Sequence, residues 1–138
     1  METGSPLTKR AFFIWLLLLS AAMLSAQDMY WVGGPGDWND LSHWAKASGS
    51  SDLTGRIPDA TTRVFIDDGS GLNAGATITI SPGDYAVRDL TVTASRGFTL
   101  SLLGTSPSQD VEFNAFGDLV LNPQMVITYA STNISYNT

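Results

Sequence analysis

Along residues 61–138 apolar and polar positions alternate with period two, in runs of six to ten residues. TRVFID (62–67), ATITIS (76–81), YAVRDLTVTA (85–94) and FTLSLLG (98–104) come first. VEFNAF from Val111, GDLVLNP from Gly117 and MVITYA from Met125 follow. Each run is rich in β-branched or aromatic residues. Each break (DGSGLNAG, SPGD, SRG, TSPSQD) is dominated by Gly, Pro, Asp, Asn or Ser. Short strands joined by turns have this signature. Past residue 27 only LSHWAKA (41–47) offers helix, one turn at most. The pattern predicts an all-β chain.

Two all-β architectures fit such spacing. Ile78 and Ile80 lie 22 residues before Leu100 and Leu102, which lie 19 before Leu119 and Leu121. Leu90 and Val92 lie 21 before Val111 and Phe113. A quasi-period near 20 with two strands per period predicts coils stacked like rungs, a right-handed parallel β-helix. The alternative is an antiparallel β-sandwich. It is the weaker expectation, because the later strands are not joined by two-residue Asn-Gly or Asp-Gly hairpin links. ITYASTNISYNT still reads as strand at its end, with no charge or proline to blunt the edge. The solenoid over 61–138 is therefore expected to be truncated, a piece of a longer protein.

The first residues follow different rules. METGSPLTKR places Lys9 and Arg10 ahead of a nine-residue apolar run, Ala11 to Leu19, and SAAMLSAQ follows. That order is the layout of a secretory signal peptide, assigned to 1–26 with cleavage after Ala26. A spanning helix needs about 20 apolar residues, so no membrane span is expected after cleavage. The remainder, about 111 residues from Asp28, suffices for one domain. It divides into a Trp/Gly-rich cap and loop (27–60) and the strand repeats (61–138). There is no cysteine, so burial and backbone pairing alone must hold the fold. Past Ala26 five basic residues face twelve acidic ones, a net charge of −7. That balance argues against nucleic acid, which selects clustered Lys and Arg. It agrees with a secreted or cell-surface location.

Between Tyr30 and Trp44, YWVGGPGDWNDLSHW holds three of the four tryptophans and the only histidine. The first coil of a solenoid leaves its interior open, and large aromatic side chains can close it. Gly33, Gly34 and Gly36 let the chain fold back tightly, and Asp40 suits an Asx-type turn. Trp31, Gly33, Gly34, Gly36, Trp38, Asp40, His43 and Trp44 are therefore expected to form a structural cap. A second use is a glycan contact, for which Trp31, Trp38 and Trp44 would have to be coplanar and exposed. His43, without a second histidine or any cysteine, reads as a hydrogen-bonded loop residue.

This stretch carries a resemblance. Trp31, Val32, Gly33, Gly34, Gly36, Trp38, Asp40, His43 and Trp44, followed by Pro58 and by Val64, Phe65 and Asp67, resemble the N-terminal region of very large secreted surface proteins of Bacteroidetes-type bacteria. The likeness is close over about 30–68 and one of texture beyond. It implies an adhesin-like or structural cell-surface protein with β-helical repeats, and partners among surface glycans or other surface proteins. It also implies export by the type IX route, although the sorting domain that route uses is not in this sequence.

Other chemistry is sparse. Asp67-Asp68-Gly69-Ser70-Gly71 is an oxygen-rich loop of the kind calcium takes, but it lacks EF-hand spacing. Asp110 with Glu112 share a strand face, and Asp84 with Asp89 could lie near a coil edge. Such carboxylate pairs would matter in the alternative reading, the N-terminal part of a β-helical carbohydrate-active enzyme or a glycan-binding module. There is no G-x-S-x-G, phosphate loop or His/Cys metal cluster, and Asn133-Ile134-Ser135 reads as an accidental sequon. The expectation is a non-enzymatic chain with no assigned catalytic residue, metal or cofactor.

Overall fold

A computed structural model describes residues 26–103 and 110–129. The signal-peptide assignment, the sequon and most of the strand-like end at 127–138 lie outside the described residues. The chain is all-β. Its strands are β1 (Gln27–Trp31), β2 (Gly36–Asp37), β3 (Trp44–Ala45), β4 (Thr62–Ile66), β5 (Thr77–Ile80), β6 (Gly83–Val87), β7 (Asp89–Val92), β8 (Thr99–Leu102), β9 (Val111–Ala115), β10 (Leu119–Val120) and β11 (Val126–Tyr129). Two 3-10 turns, Leu41–His43 and Asp68–Ser70, are the only helical pieces among the described residues. None of this is a helix long and apolar enough to cross a membrane.

The strands form three sheets, ordered β10-β7-β4-β1-β3, β11-β8-β5-β2 and β6-β9. From β4 onward the chain visits them in turn, so each strand pairs with the one three places later. Every pairing but one is parallel. The exception is β3 against β1, which sets Trp31 opposite Trp44. The antiparallel sandwich is therefore not what these strands form.

Register corrects the expected repeat in part. Ile78 stands beside Leu100 and Ile80 beside Leu102, as their 22-residue separation implied. Leu119 stands beside Leu90, not Leu100, and Val111 beside Gly83, not Leu90. Three strands complete each passage, not two. YAVRDLTVTA is two strands separated at Arg88, and the SPGD break already contains the start of β6. Alternation alone conceals a corner where the chain turns from one sheet to the next while the apolar period continues.

The inward faces of the three sheets share one core. Met29, Val64, Ile66, Ile78, Ile80, Val87, Leu90, Val92 and Leu100 belong to it. Leu90 sits in a column with Val64 behind it and Leu119 ahead. Outward rows alternate with these. In one, Arg63 stands between Asp28 and Asp89, with its Nε donating to Asp28 Oδ1 at 2.7 Å. In the next, Tyr30 and Phe65 stack at 5.0 Å.

The loop from Lys46 to Thr61 stays irregular, as its small polar composition implied, apart from one bridge of Ala45 to Leu53. Asp59 anchors its end. Its Oδ1 accepts from Thr61 N (2.9 Å) and Thr61 Oγ1 (2.7 Å), and Arg56 Nη1 reaches Oδ2 at 2.8 Å. The Thr61 bonds hold the Asp59 carboxyl below the ordinary value of 3.8, with the Thr62 bond and the Arg56 charge adding to them.

Position within a column sets the cost of truncation. Leu90→Ala should cost about 2–5 kcal/mol in chemical denaturation, as a buried leucine does. Leu119→Ala, same column but more than half exposed, should cost less than about 1 kcal/mol. Equal costs would contradict the burial gradient.

Candidate functional site

The site begins where β1 ends. Trp31 is the last inward residue of that strand, and Gly33 and Gly34 follow with φ of 82° and 79°. These values are open to glycine and strained for residues with a Cβ. The double left-handed step turns the chain so that Trp31 Nε1 donates to Gly34 O at 2.7 Å. Gly34 N donates to Ser70 O at 2.8 Å. A Cβ on Gly34 would stand 3.3 Å from the Gly71 carbonyl oxygen, so two backbones pass closely here.

Gly36 and Asp37 then lie parallel to Ile78 and Thr79 as the edge of the second sheet. Trp38 N continues the ladder to Thr79 O at 2.8 Å, which points the indole inward. Asp40 caps the 3-10 turn by accepting from Ser42 N (2.9 Å) and Ser42 Oγ (2.7 Å). That turn delivers His43 and Trp44 back to β1. Val32 N donates to His43 O (2.9 Å), and His43 Nδ1 lies 2.6 Å from Val32 O.

The rings interlock. His43 lies flat on Trp31, with centroids 4.5 Å apart and planes 1° apart. Trp44 meets Trp31 at 88° and Trp38 at 71°. Trp38 also meets Phe113 of β9 edge to face at 5.2 Å. Trp44 Nε1 donates to Trp38 O at 2.8 Å. Trp38 Nε1 is buried with no hydrogen-bond acceptor, and its neighbours include two edge-to-face rings, the setting in which weak N–H···π contacts occur. Asn39 Nδ2 donates to Tyr85 Oη (2.7 Å), and Tyr85 Oη donates in turn to Ser81 O (2.9 Å). Among the described residues no strand precedes β6 in the third sheet, and Trp38 and Asn39 of this segment contact that sheet at Phe113 and Tyr85.

The structure thus brings together all eight residues singled out in the sequence. It contradicts one use of them. Trp31, Trp38 and Trp44 are each 0% exposed, and Trp31 and Trp38 are both steeply inclined to Trp44, so no face is open for a sugar ring to stack on. The exposed-platform expectation failed because composition counts indoles without saying which side of the chain they occupy. Sequence reading missed Tyr85, Phe113, Thr79 and Ser81. For Tyr85 and Phe113, an inward aromatic at the third position of β6 and of β9 was the available signal.

The remaining candidates do not converge. Asp67 Oδ1 accepts from Gly69 N and Ser48 Oγ, both at 2.9 Å, while Asp68 Oδ1 accepts from Ser95 N at 2.6 Å. The two carboxylates of the proposed calcium loop thus serve different loops. Among the described residues no three His, Asp or Glu side chains gather as a metal-ligand set. Asp84 stands beside Glu112 in register, not with Asp89, which neighbours Arg63. Glu112 accepts from Asn114 Nδ2 at 2.7 Å. An open polar cleft of about 350 Å³ is lined by Asp68, Gly71, Leu72, Asn73, Ser95 and Arg96, and none of the indoles borders it. Comparison with protein-family models, curated proteins and solved structures finds no match.

Three tests follow from the geometry. Trp44→Ala should cost about 3–5 kcal/mol in denaturant melts; an unmoved midpoint would contradict the packing. A Cβ on Gly36 would overlap the His43 ring, and Gly36 has no positive φ to explain its glycine. Gly36→Ala should therefore destabilise the native chain and do so far less in a His43→Ala background, a coupling of about 1–3 kcal/mol. Additive costs would refute the steric reading.

The third concerns acid. The Asp40 carboxyl is lowered from 3.8, first by the Ser42 hydroxyl and amide and then by His43. The Asp68 carboxyl is lowered by the Ser95 amide and hydroxyl, then by Arg96. With Asp59 these groups have folded values below their unfolded ones. Their contribution is therefore complete above about pH 4 and fades as pH falls through the folded values. Melting temperature should drop in that window, and Asp59→Asn should flatten the slope; an unchanged slope would contradict it.

Proposed function

We propose that this chain is a non-enzymatic, exported cell-surface protein, adhesin-like or structural, in which the segment Tyr30–Trp44 caps one end of a right-handed parallel β-helix. The supporting observation is the fate of the three indoles. They lie wholly inside and packed on one another, with Trp31 Nε1 and Trp44 Nε1 bonded to backbone oxygens, at the end where β3 and β2 are the outermost strands of their sheets among the described residues. The cyclic order of sheets and the parallel registers support the helical winding. Trp31, Trp38, Trp44 and Val64, among the residues that carry the likeness to Bacteroidetes-type surface proteins, lie in the buried core, which favours a scaffold over turnover. Net acidity and the layout of residues 1–26 support export.

Expression in a host with a two-membrane envelope tests the localisation. The chain recovered should begin at Gln27 by terminal sequencing and be labelled by membrane-impermeant reagents on intact cells. A chain that keeps Met1 and stays in the cytoplasm would refute the proposal.

A further inference from the structure

The chain passes from the first sheet to the second at 32–35, 67–76, 93–98 and 121–125. Three of these passages take four to six residues, and 67–76 takes ten. Where layers of strand repeat, extra residues in one layer emerge as a loop on one face, and such loops often bind. This loop is tied down from several sides. Gly34 N donates to Ser70 O at 2.8 Å, Ala76 N to Asn73 O at 2.9 Å and Gly75 N to Gly97 O at 3.1 Å. Leu72 joins the core at 6% exposure. Between the long loop and the shorter passage at 93–98 lies the cleft of about 350 Å³. Asp68 Oδ1 accepts from Ser95 N at 2.6 Å, and Arg96 Nη1 donates to Asn73 Oδ1 at 2.9 Å, so side chains of the two layers hold its walls together.

The lining narrows the occupant. A preformed cleft of this size suits a small molecule. Leu72 is the one large apolar side chain in it, and the other side chains are polar. Asp68, Asn73 and Arg96 supply a carboxylate, a carboxamide and a guanidinium, flat groups that each offer more than one hydrogen-bonding atom. The bond between Arg96 and Asn73 uses one guanidinium N–H and the carboxamide oxygen. It leaves the carboxamide NH₂ and further guanidinium N–H groups to meet a ligand. Asp68 and Arg96 carry opposite charges close enough for Arg96 to help lower the Asp68 carboxyl, after the Ser95 bonds. An anion or a cation would therefore meet one wall of its own sign. A neutral molecule with neighbouring hydroxyls would meet acceptors and donors together. We infer that this cleft binds a single neutral sugar residue through Asp68, Asn73 and Arg96. The inference uses none of the indoles and stands whether or not the chain is exported.

Amide NMR spectra of the chain from Gln27 onward, titrated separately with D-glucose, D-galactose, D-mannose and N-acetyl-D-glucosamine, read the result. At least one sugar should give saturable shifts centred on 68–73 and 95–96, with a dissociation constant of about a millimolar, as suits so small a ligand. Asn73→Ala and Arg96→Ala should each weaken binding at least tenfold while amides away from the cleft keep their positions. Arg88→Ala, at an exposed arginine on a different corner, should leave binding intact. No saturable shift with any of the four sugars overturns the inference. So do shifts centred elsewhere, or variants that bind as well as the parent. Inorganic phosphate shifting the same amides at lower concentration than any sugar would make the cleft an anion site and overturn it too. Failure of export with sugar binding intact would instead count against the surface-protein proposal alone.

Discussion

Stacked parallel strands create an interior that their own hydrogen bonds cannot close. Each layer covers the apolar side chains of the last, so the first layer is exposed unless something unlike a strand covers it. In the function proposed above, three indoles and an imidazole, all buried, take that place. Burying large aromatic groups contributes on the order of 1.5–3 kcal/mol each or more, beside a net stability of about 5–15 kcal/mol for a domain. Trp31 Nε1 and Trp44 Nε1 keep that burial affordable by bonding to Gly34 O and Trp38 O.

The glycines serve that geometry. Gly33 and Gly34 reverse the chain in a conformation with positive φ, and Gly36 leaves room for His43. The imidazole then stacks on Trp31 and bonds Val32 O, joining the start and end of the segment. Asp37 makes a similar tie outward, where its Oδ2 accepts from Ser81 Oγ at 2.6 Å. The segment is thereby fixed to all three sheets, through β1 and β4, through Thr79, and through Tyr85 and Phe113.

Much of this was legible in the residues. Period-two runs located nearly every long strand, and the Ile78–Leu100 spacing matched a true register. The gathering of Trp31, Trp38 and Trp44 into one buried cluster was legible in their density within a single short segment. The count of strands per passage was not legible, because Tyr85 to Val92 stays apolar on alternate positions through the corner at Arg88. The columns of Leu90 and Leu119 were mispaired for the same reason, since loop lengths between layers vary and leucines are interchangeable in pattern. Contacts across long separations, such as Asn39 to Tyr85 or Trp38 to Phe113, leave no local periodicity to read.

The buried indoles sit at the end where β2 and β3 are the outermost strands of their sheets among the described residues. The most direct measurement of the central claim is fluorescence of the chain from Gln27 onward, which retains Trp31, Trp38 and Trp44 as its only indoles. The native chain should emit at short wavelength and resist iodide quenching until the strands unfold. Native emission already at the wavelength of hydrated indole, quenched freely by iodide, would contradict the account.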